Sequence, residues 1–231
     1  APPLLARAAA LSARIRALRL TKYNVGADAL AIAAPPGKER ILVAGQTAND
    51  ASIRLGATSV RDDAALLRAA RARFPDAFLL YKPHPDTWAG RRPGRAPDDV
   101  VAACADAVAA EASAEAALGW AERVATITSS IGFEALLRGV AVATFGRPFY
   151  AGWGLTDDAD PPPRDRALSL DELTAAALIL LPGYVDPATG LPAPPEIALG
   201  ALDAERLRRR TAKGRFEALR RAALSAILRR L

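Results

Sequence analysis

The 231-residue chain predicts an α/β fold, a Rossmann-like parallel sheet with flanking helices, and three observations carry that expectation. Short apolar runs of strand character alternate with helical segments between Arg40 and Thr144. Their intervals suit strand–helix–strand units, which build parallel sheets. Polar clusters follow three of the runs directly, at Gln46–Asp50, Lys82–His84 and Thr128–Ser130. Ligands of such sheets bind at the carboxyl ends of the strands, so all three clusters are expected at one edge.

The elements follow in order. Leu4, Leu5, Ala8, Leu11, Ile15 and Leu18 recur at helical spacing, with Arg7, Arg14, Arg16 and Arg19 between them, so Ala1–Leu20 reads as an amphipathic helix. It has no evident partner nearby in the chain and is expected to pack on a segment further upstream. A Pro-Gly linker, Ala33–Lys38, follows. Strands are expected at Arg40–Ala44, Ala77–Tyr81, Asp106–Ala110, Arg123–Thr128 and Val140–Thr144. Helices are expected at Arg61–Phe74, Pro97–Cys104, Ser113–Gly119 and Ile131–Arg138, the last closed by Gly139. Gly146–Arg166 reads as a long loop carrying Phe149, Tyr150 and Trp153, and aromatic-bearing loops of this length are more often functional than idle. Ser169 and Glu172 form a capping box for a helix to about Leu181. A Pro-rich passage, Pro182–Pro195, leads to a last helix over Asp203–Leu231. Its apolar stripe, Phe216 to Leu231, is flanked by Arg215, Arg220, Arg221, Arg229 and Arg230. Such a helix suits an anionic membrane surface or the face of another domain equally. The expected division is therefore 1–38 (helix and linker), 39–200 (Rossmann-like domain) and 201–231 (basic helix).

Composition narrows the function. The chain is 51% hydrophobic with 6% aromatics and carries a formal charge of +6. The excess positive charge gathers at the two ends, which favours an anionic surface over a nucleic-acid footprint. One cysteine, Cys104, and one histidine, His84, exclude an internal disulfide framework and Cys- or His-rich zinc sites. No apolar run is long enough to span a bilayer, and the Arg-studded start is unlike a secretory signal. The chain contains no methionine and is read as a piece of a longer protein. No G-x-G-x-x-G or Walker pattern follows a strand, which argues against NAD and ATP. The G-x-S-x-G elbow of a hydrolase is likewise missing.

What remains is anion chemistry. Lys82 and His84, two residues apart on a Pro-stiffened strand exit, supply a fixed cation and a donor of a hydrogen bond or proton, the pair a departing phosphate needs. Ser129 and Ser130 add hydroxyls at the opening of a helix, and Glu134, one turn in, suits sugar hydroxyls. Asp50, four residues after Gln46, suits a nucleophile, base or stabiliser of a sugar cation. Each has a plainer alternative: a turn histidine, a serine N-cap with its capping glutamate, and an N-cap aspartate.

In sequence order, G-Q-T-A-N-D-A-S-I-R-L-G (45–56), F-P-D-A-F-L-L-Y-K-P-H-P-D (74–86), T-I-T-S-S-I-G-F-E-A-L-L-R-G (126–139) and F-G-R-P-F-Y-A-G-W-G-L-T-D-D (145–158) closely resemble the capsule polysaccharide β-Kdo transferases of the KpsC type. The resemblance runs from about Lys22 to Pro187. It implies the C-terminal nucleotide-binding domain of a GT-B-like retaining glycosyltransferase, moving Kdo from CMP-β-Kdo to a phosphatidylglycerol-type lipid acceptor. Gln46 and Asp50 then match the family's Q-x-x-x-D, with Asp50 as nucleophile. Lys82 and His84 match its K-x-H-P grip on the CMP phosphate, and Ser129, Ser130 and Glu134 match the segment for phosphate and ribose. No metal or other cofactor is expected. The implied setting is cytoplasmic, peripheral at the inner face of the bacterial inner membrane, with an N-terminal acceptor domain or module supplied by the same parent protein. Beyond Trp153-Gly154-Leu155-Thr156 an Arg-rich stretch is usual in the family, whereas Asp157–Asp160 and three prolines stand here. Rival readings are another H-P-motif enzyme (a CDP-glycerol glycerophosphotransferase, a sialyltransferase or an epimerase), disfavoured by F-Y-A-G-W-G, and a non-catalytic membrane-docking module.

Overall fold

The computed structural model describes residues 2–22 and 26–210. At its centre lies a six-stranded sheet of β1 (Arg40–Ala44), β2 (Phe78–Lys82), β3 (Ala107–Val108), β4 (Arg123–Thr126), β5 (Ala141–Thr144) and β6 (Asp157–Asp158). The order is β3-β2-β1-β4-β5-β6, and every neighbouring pair is parallel. The expected Rossmann-like sheet is thus present. Its strand order reverses between β1 and β4, and such a switch point opens a crevice at the carboxyl ends of those two strands.

The central strands are apolar on both faces, as sheets covered by helices on both sides require. Ile41, Leu42, Val43, Leu79, Leu80, Val124 and Ala125 are completely buried. α3 (Asp63–Arg73) covers one face, its Leu66, Leu67 and Ala70 packing with Ile41, Val43, Leu79 and Ile127. Asp62 starts α3 by accepting from the Ala65 N–H at 2.8 Å. Truncating Leu66 or Leu67 to alanine is worth about 2–5 kcal/mol at such sites. α5 (Asp98–Cys104), α6 (Ala114–Trp120) and α7 (Ile131–Leu137) fall within or close to their expected ranges.

Differences from the sequence pattern arise where elements are too short to show a period. β3 is only Ala107–Val108, and β4 ends at Thr126 rather than Thr128. Two short helices, α2 (Ala51–Gly56) and α4 (Pro85–Trp88), occupy stretches that read as loop, and β6 lies within the loop expected over Gly146–Arg166.

The described residues form two compact units, one spanning Thr21–Leu173 and containing the sheet, the other joining the residues up to Leu20 with those from Thr174. In the second unit, α1 (Pro2–Ala17) buries Leu11 against Leu20 and Leu199, with Ile15, Leu178 and Ile179 packed around them. This helix, expected to pack on a segment further upstream, thus has partners within the chain. Its distant partners, Leu178, Ile179 and Leu199, lie some 160–190 residues away in sequence, beyond the reach of local pattern. Arg7 grips Glu196 with two bonds of 2.7 and 2.8 Å. The Ser169–Glu172 capping box is present, with Ser169 N–H donating to Glu172 at 2.7 Å and Glu172 N–H to Ser169 Oγ at 3.2 Å. The helix it opens, α8 (Leu170–Thr174), continues as a π-helical stretch over Ala175–Leu180. A small antiparallel pair, β7 (Tyr184–Val185) and β8 (Pro192–Ala193), precedes α9 (Pro195–Arg210). α9 starts at Pro195, before the expected Asp203, because proline is well suited to a first helical turn. The expected stripe from Phe216 to Leu231 lies outside the described residues. Among the described residues, no helix is long and apolar enough to cross a membrane.

Candidate active site

β1, β2 and β4 deliver the three polar clusters to one edge. The β1 exit is pinned beside β2 by Gly45 N–H donating to the Lys82 carbonyl at 2.9 Å. A small cleft of about 60 Å³ opens there, lined by Lys82, His84, Ser129 and Ser130 together with Thr21 and Lys22. Four of the seven expected site residues thus share one cavity, whereas Gln46, Asp50 and Glu134 do not line it.

Lys82 is 8% exposed, and its ammonium donates to the Ala112 carbonyl at 2.6 Å. Burial lowers its pKa, with Glu111 pulling the other way. The bond to Ala112 is the ammonium's one bond among the described residues, and an ammonium has two more N–H donors to offer a ligand anion. His84 caps α4, its Nδ1 accepting from the Asp86 N–H at 3.1 Å, with Pro85 in the first helical turn. Burial lowers the His84 pKa ahead of the opposing pull of Asp86. A neutral imidazole that accepts at Nδ1 carries its proton at Nε2. The geometry therefore suits His84 to donate a hydrogen bond from Nε2, and adding a second proton would cost the α4 cap.

Ser130 precedes α7 with helical backbone angles, and its side chain makes no cap bond. The Ser129 hydroxyl accepts from the Ile131 N–H at 3.3 Å. Glu134 is turned elsewhere: its carboxylate accepts from the Lys22 main-chain N–H at 3.1 Å. Burial raises its pKa, against that bond and the charge of Arg138. That bond ties the backbone of Lys22, in the cleft wall, to α7.

Gln46 stitches the switch point. Its Oε1 accepts from Thr128 N–H at 2.8 Å, and its Nε2 donates to Thr128 Oγ1 at 3.1 Å and to Ser52 Oγ at 3.4 Å. Both ends of the amide are spent on protein, so Gln46 ties the β1 exit to the segment carrying Ser129 and Ser130. Asp50 is the N-cap of α2, accepting from the Ser52 N–H at 3.0 Å. That bond is the main reason its pKa is lowered, with Lys22 and Arg92 also favouring the anion. Asp50 is therefore an ionised, half-buried carboxylate in the electrostatic reach of His84.

Three features lie outside the seven expected site residues. Thr21 and Lys22 enter the cleft wall from a segment about 60 residues before Lys82. Asp63 reaches under the β1 and β2 exits from the start of α3. Tyr150, in the aromatic loop, bonds the backbone of Ser129. Only the composition of that loop hinted at a role.

Comparison with known proteins follows the same lines. Residues 5–181 match the model of the family described as capsule polysaccharide biosynthesis protein. The capsule polysaccharide modification protein LipA of Neisseria meningitidis serogroup A is 46% identical over 171 residues, covering 74% of this chain and 24% of LipA. The lipopolysaccharide-processing protein LpsZ of Rhizobium meliloti is 41% identical over 206 residues, covering 88% of this chain and 47% of LpsZ. Two solved structures of Thermosulfurimonas dismutans KpsC, titled a beta Kdo 2,7 transferase and a beta Kdo 2,4 transferase, superpose with TM-scores of 0.75 and 0.77. Each is 34% identical and covers 88% of this chain, which spans 62% and 64% of theirs. The chain thus spans about a quarter to a half of the curated relatives it matches.

Proposed function

The chain belongs to the capsule polysaccharide biosynthesis protein family, and from that premise we propose that it is the donor-binding part of a β-Kdo transferase. In this reading it takes CMP-β-Kdo as donor and serves a lipid-linked acceptor in capsule linker synthesis. The observation that supports it best is the convergence of Lys82, His84, Ser129 and Ser130 on one cleft beside the β1–β4 switch point. Departure of CMP leaves charge on a phosphate, and preorganised donors aimed at that charge are the largest catalytic lever available to such a site. Lys82 supplies the cation, His84 an Nε2–H hydrogen bond and the serines their hydroxyls. No step calls for a metal.

Asp50 is the nucleophile we propose for a double displacement with retention. Its lowered pKa keeps it ionised at neutral pH, as attack on the anomeric carbon requires. Gln46 and Glu134 act here as positioning residues, the first through Thr128 and the second through the Lys22 backbone. The acceptor, a phosphatidylglycerol-type lipid, would be held by another part of the parent protein, with the assembly peripheral to the inner membrane. Similarity to transferases of two different linkages is equal at 34% identity, and the proposal names neither linkage.

Calorimetric titration with CMP, run in parallel on the chain and on His84→Ala, tests the reading. Saturable binding that the variant loses is the expected result. A folded chain that binds no CMP overturns the assignment of the cleft.

A further inference from the structure

We infer that Asp63 is a positioning residue that clamps the two strand exits of the cleft, holding the Gln46 backbone and the β2 residue Tyr81 through one buried carboxylate. The inference rests on reading the cleft as the CMP site. Asp63 is 1% exposed and stands at the first position of α3, where Asp62 already performs the capping. Its carboxylate is directed away from its own helix. Oδ1 accepts from the Gln46 N–H at 2.8 Å, and Oδ2 accepts from the Tyr81 hydroxyl at 2.6 Å. Gln46 lies in the β1 exit, and Tyr81 immediately precedes Lys82 on β2, so one side chain braces both exits beside the main-chain bond from Gly45 to Lys82.

Gly45 makes the arrangement possible. A Cβ there would sit 2.3 Å from Asp63 Oδ2 and 3.2 Å from the Cα of Pro83, inside contact distance of both. The chain thus gives up a side chain at Gly45 so that the carboxylate can lie beneath Gln46 and beside the Lys82-Pro83-His84 exit.

Burying a carboxylate against two neutral donors is expensive, and a neutral residue of similar shape would fold better. Both partners of Asp63 are uncharged, and the charge acting on it is that of Asp62, on the same helix start, which opposes ionisation. Tyr81 in turn feels Arg95 and the main chain of Ala96. Burial accordingly raises the Asp63 pKa to about 6. The ionised carboxylate accepts from both donors, whereas the neutral acid must turn one oxygen into a donor and loosens the Tyr81 arm. Cleft geometry and CMP affinity are therefore tied to a proton that is neither on the ligand nor on His84.

Asp63→Asn is the test, compared with the unaltered chain by CMP calorimetry at pH 7.5 and 5.5, thermal unfolding, and hydrogen exchange of the peptide containing Gln46. At pH 7.5 the variant is expected to bind CMP about tenfold more weakly while unfolding at an equal or higher temperature, and to exchange the Gln46 peptide faster. At pH 5.5 the difference in affinity narrows to about threefold, because the unaltered Asp63, with a pKa of about 6, is then mostly protonated; titration of the CMP phosphate is common to both. A merely structural residue predicts lower stability without that narrowing. Equal CMP affinity and equal exchange at pH 7.5 overturn the inference. Should the unaltered chain bind no CMP, the donor-site reading fails, and the exchange rates alone decide whether Asp63 holds the loop. Should Asp63→Asn not fold, Tyr81→Phe removes one arm of the clamp and is held to the same affinity and exchange outcomes.

Discussion

The Tyr150 hydroxyl donates to the main-chain carbonyl of Ser129 at 2.5 Å, from a side chain that is completely buried. Ser129 lines the cleft, and Tyr150 belongs to the aromatic loop that follows β5. Asp158 braces this loop: it accepts from Thr144 at 2.7 Å, from Thr156 at 2.6 Å and from the Gly152 N–H at 2.8 Å. Phe149 stacks edge-on against both Tyr150 and Phe133, with ring centroids 5.2 Å apart in each case. The loop therefore supports the serine segment from behind, and its aromatics have a mechanical reason to be there.

Tyr150→Phe keeps the ring and removes this bond. The Ser129 carbonyl retains the Gly132 N–H at 3.1 Å, so the expected cost is about 1 kcal/mol. Urea unfolding measures it, and CMP affinity should fall together with stability. A variant with unchanged stability and unchanged CMP binding would show that the loop does not support Ser129.

Gly132→Ala attacks the same contact from the other side. A Cβ at Gly132 would lie 2.2 Å from the Tyr150 hydroxyl oxygen and 2.6 Å from Cζ. The buried ring has little room to retreat, and overpacking of this kind costs about 1–3 kcal/mol. Combined with Tyr150→Phe, the penalty should be smaller than the sum of the two single changes, since both break one contact. Strict additivity in the double-mutant cycle would argue against it.

Gln46→Ala removes the partner of the buried Thr128 N–H and of the Thr128 hydroxyl. Leaving a buried donor unmatched costs about 1–3 kcal/mol, and Gln46→Glu, which restores only the acceptor, should recover part of the loss. Melting temperatures of the three proteins at neutral pH provide the check. If alanine and glutamate prove equal, the Thr128 N–H is satisfied in another way.

Asp63 also governs how stability depends on pH. Its pKa is raised from the usual aspartate value of 3.8 to about 6, so between those limits the folded chain holds a proton that the unfolded chain has released. Stability from this group is therefore complete below about pH 4 and is lost as pH rises through 6, with a total on the order of 3 kcal/mol. Asp63→Asn should abolish this component, so the stability difference between variant and parent grows from pH 4 to pH 7. Denaturant titrations at those two values would expose a constant difference, which is the outcome that contradicts the assignment.

Much of this protein could be read from its sequence because the signals concerned are local. Apolar runs such as Ile41–Ala44 and Leu79–Tyr81 mark strands through side-chain chemistry alone, and Ser169 with Glu172 marks a helix start through two reciprocal bonds three residues apart. The strand-exit position of Lys82 and His84 and of the serine pair followed from the same reasoning, as did the family resemblance. Short elements escaped it: α2, α4 and β6 are too brief for a period to register.

The sequence by itself determined the parallel α/β class, the edge at which the polar clusters emerge and the identity of the charged groups there. These depend on backbone period, strand direction and residue chemistry, none of which needs a distant partner. Tertiary structure alone decided that β1 lies beside β4, so that both ends of the Gln46 amide bond Thr128. It also brought Lys22 into the cleft wall, turned Glu134 toward the Lys22 backbone, and set the Asp63 carboxylate under two strand exits. Those outcomes depend on which crossover packs where, a balance of burial and hydrogen bonding among residues tens of positions apart, and no local pattern encodes it.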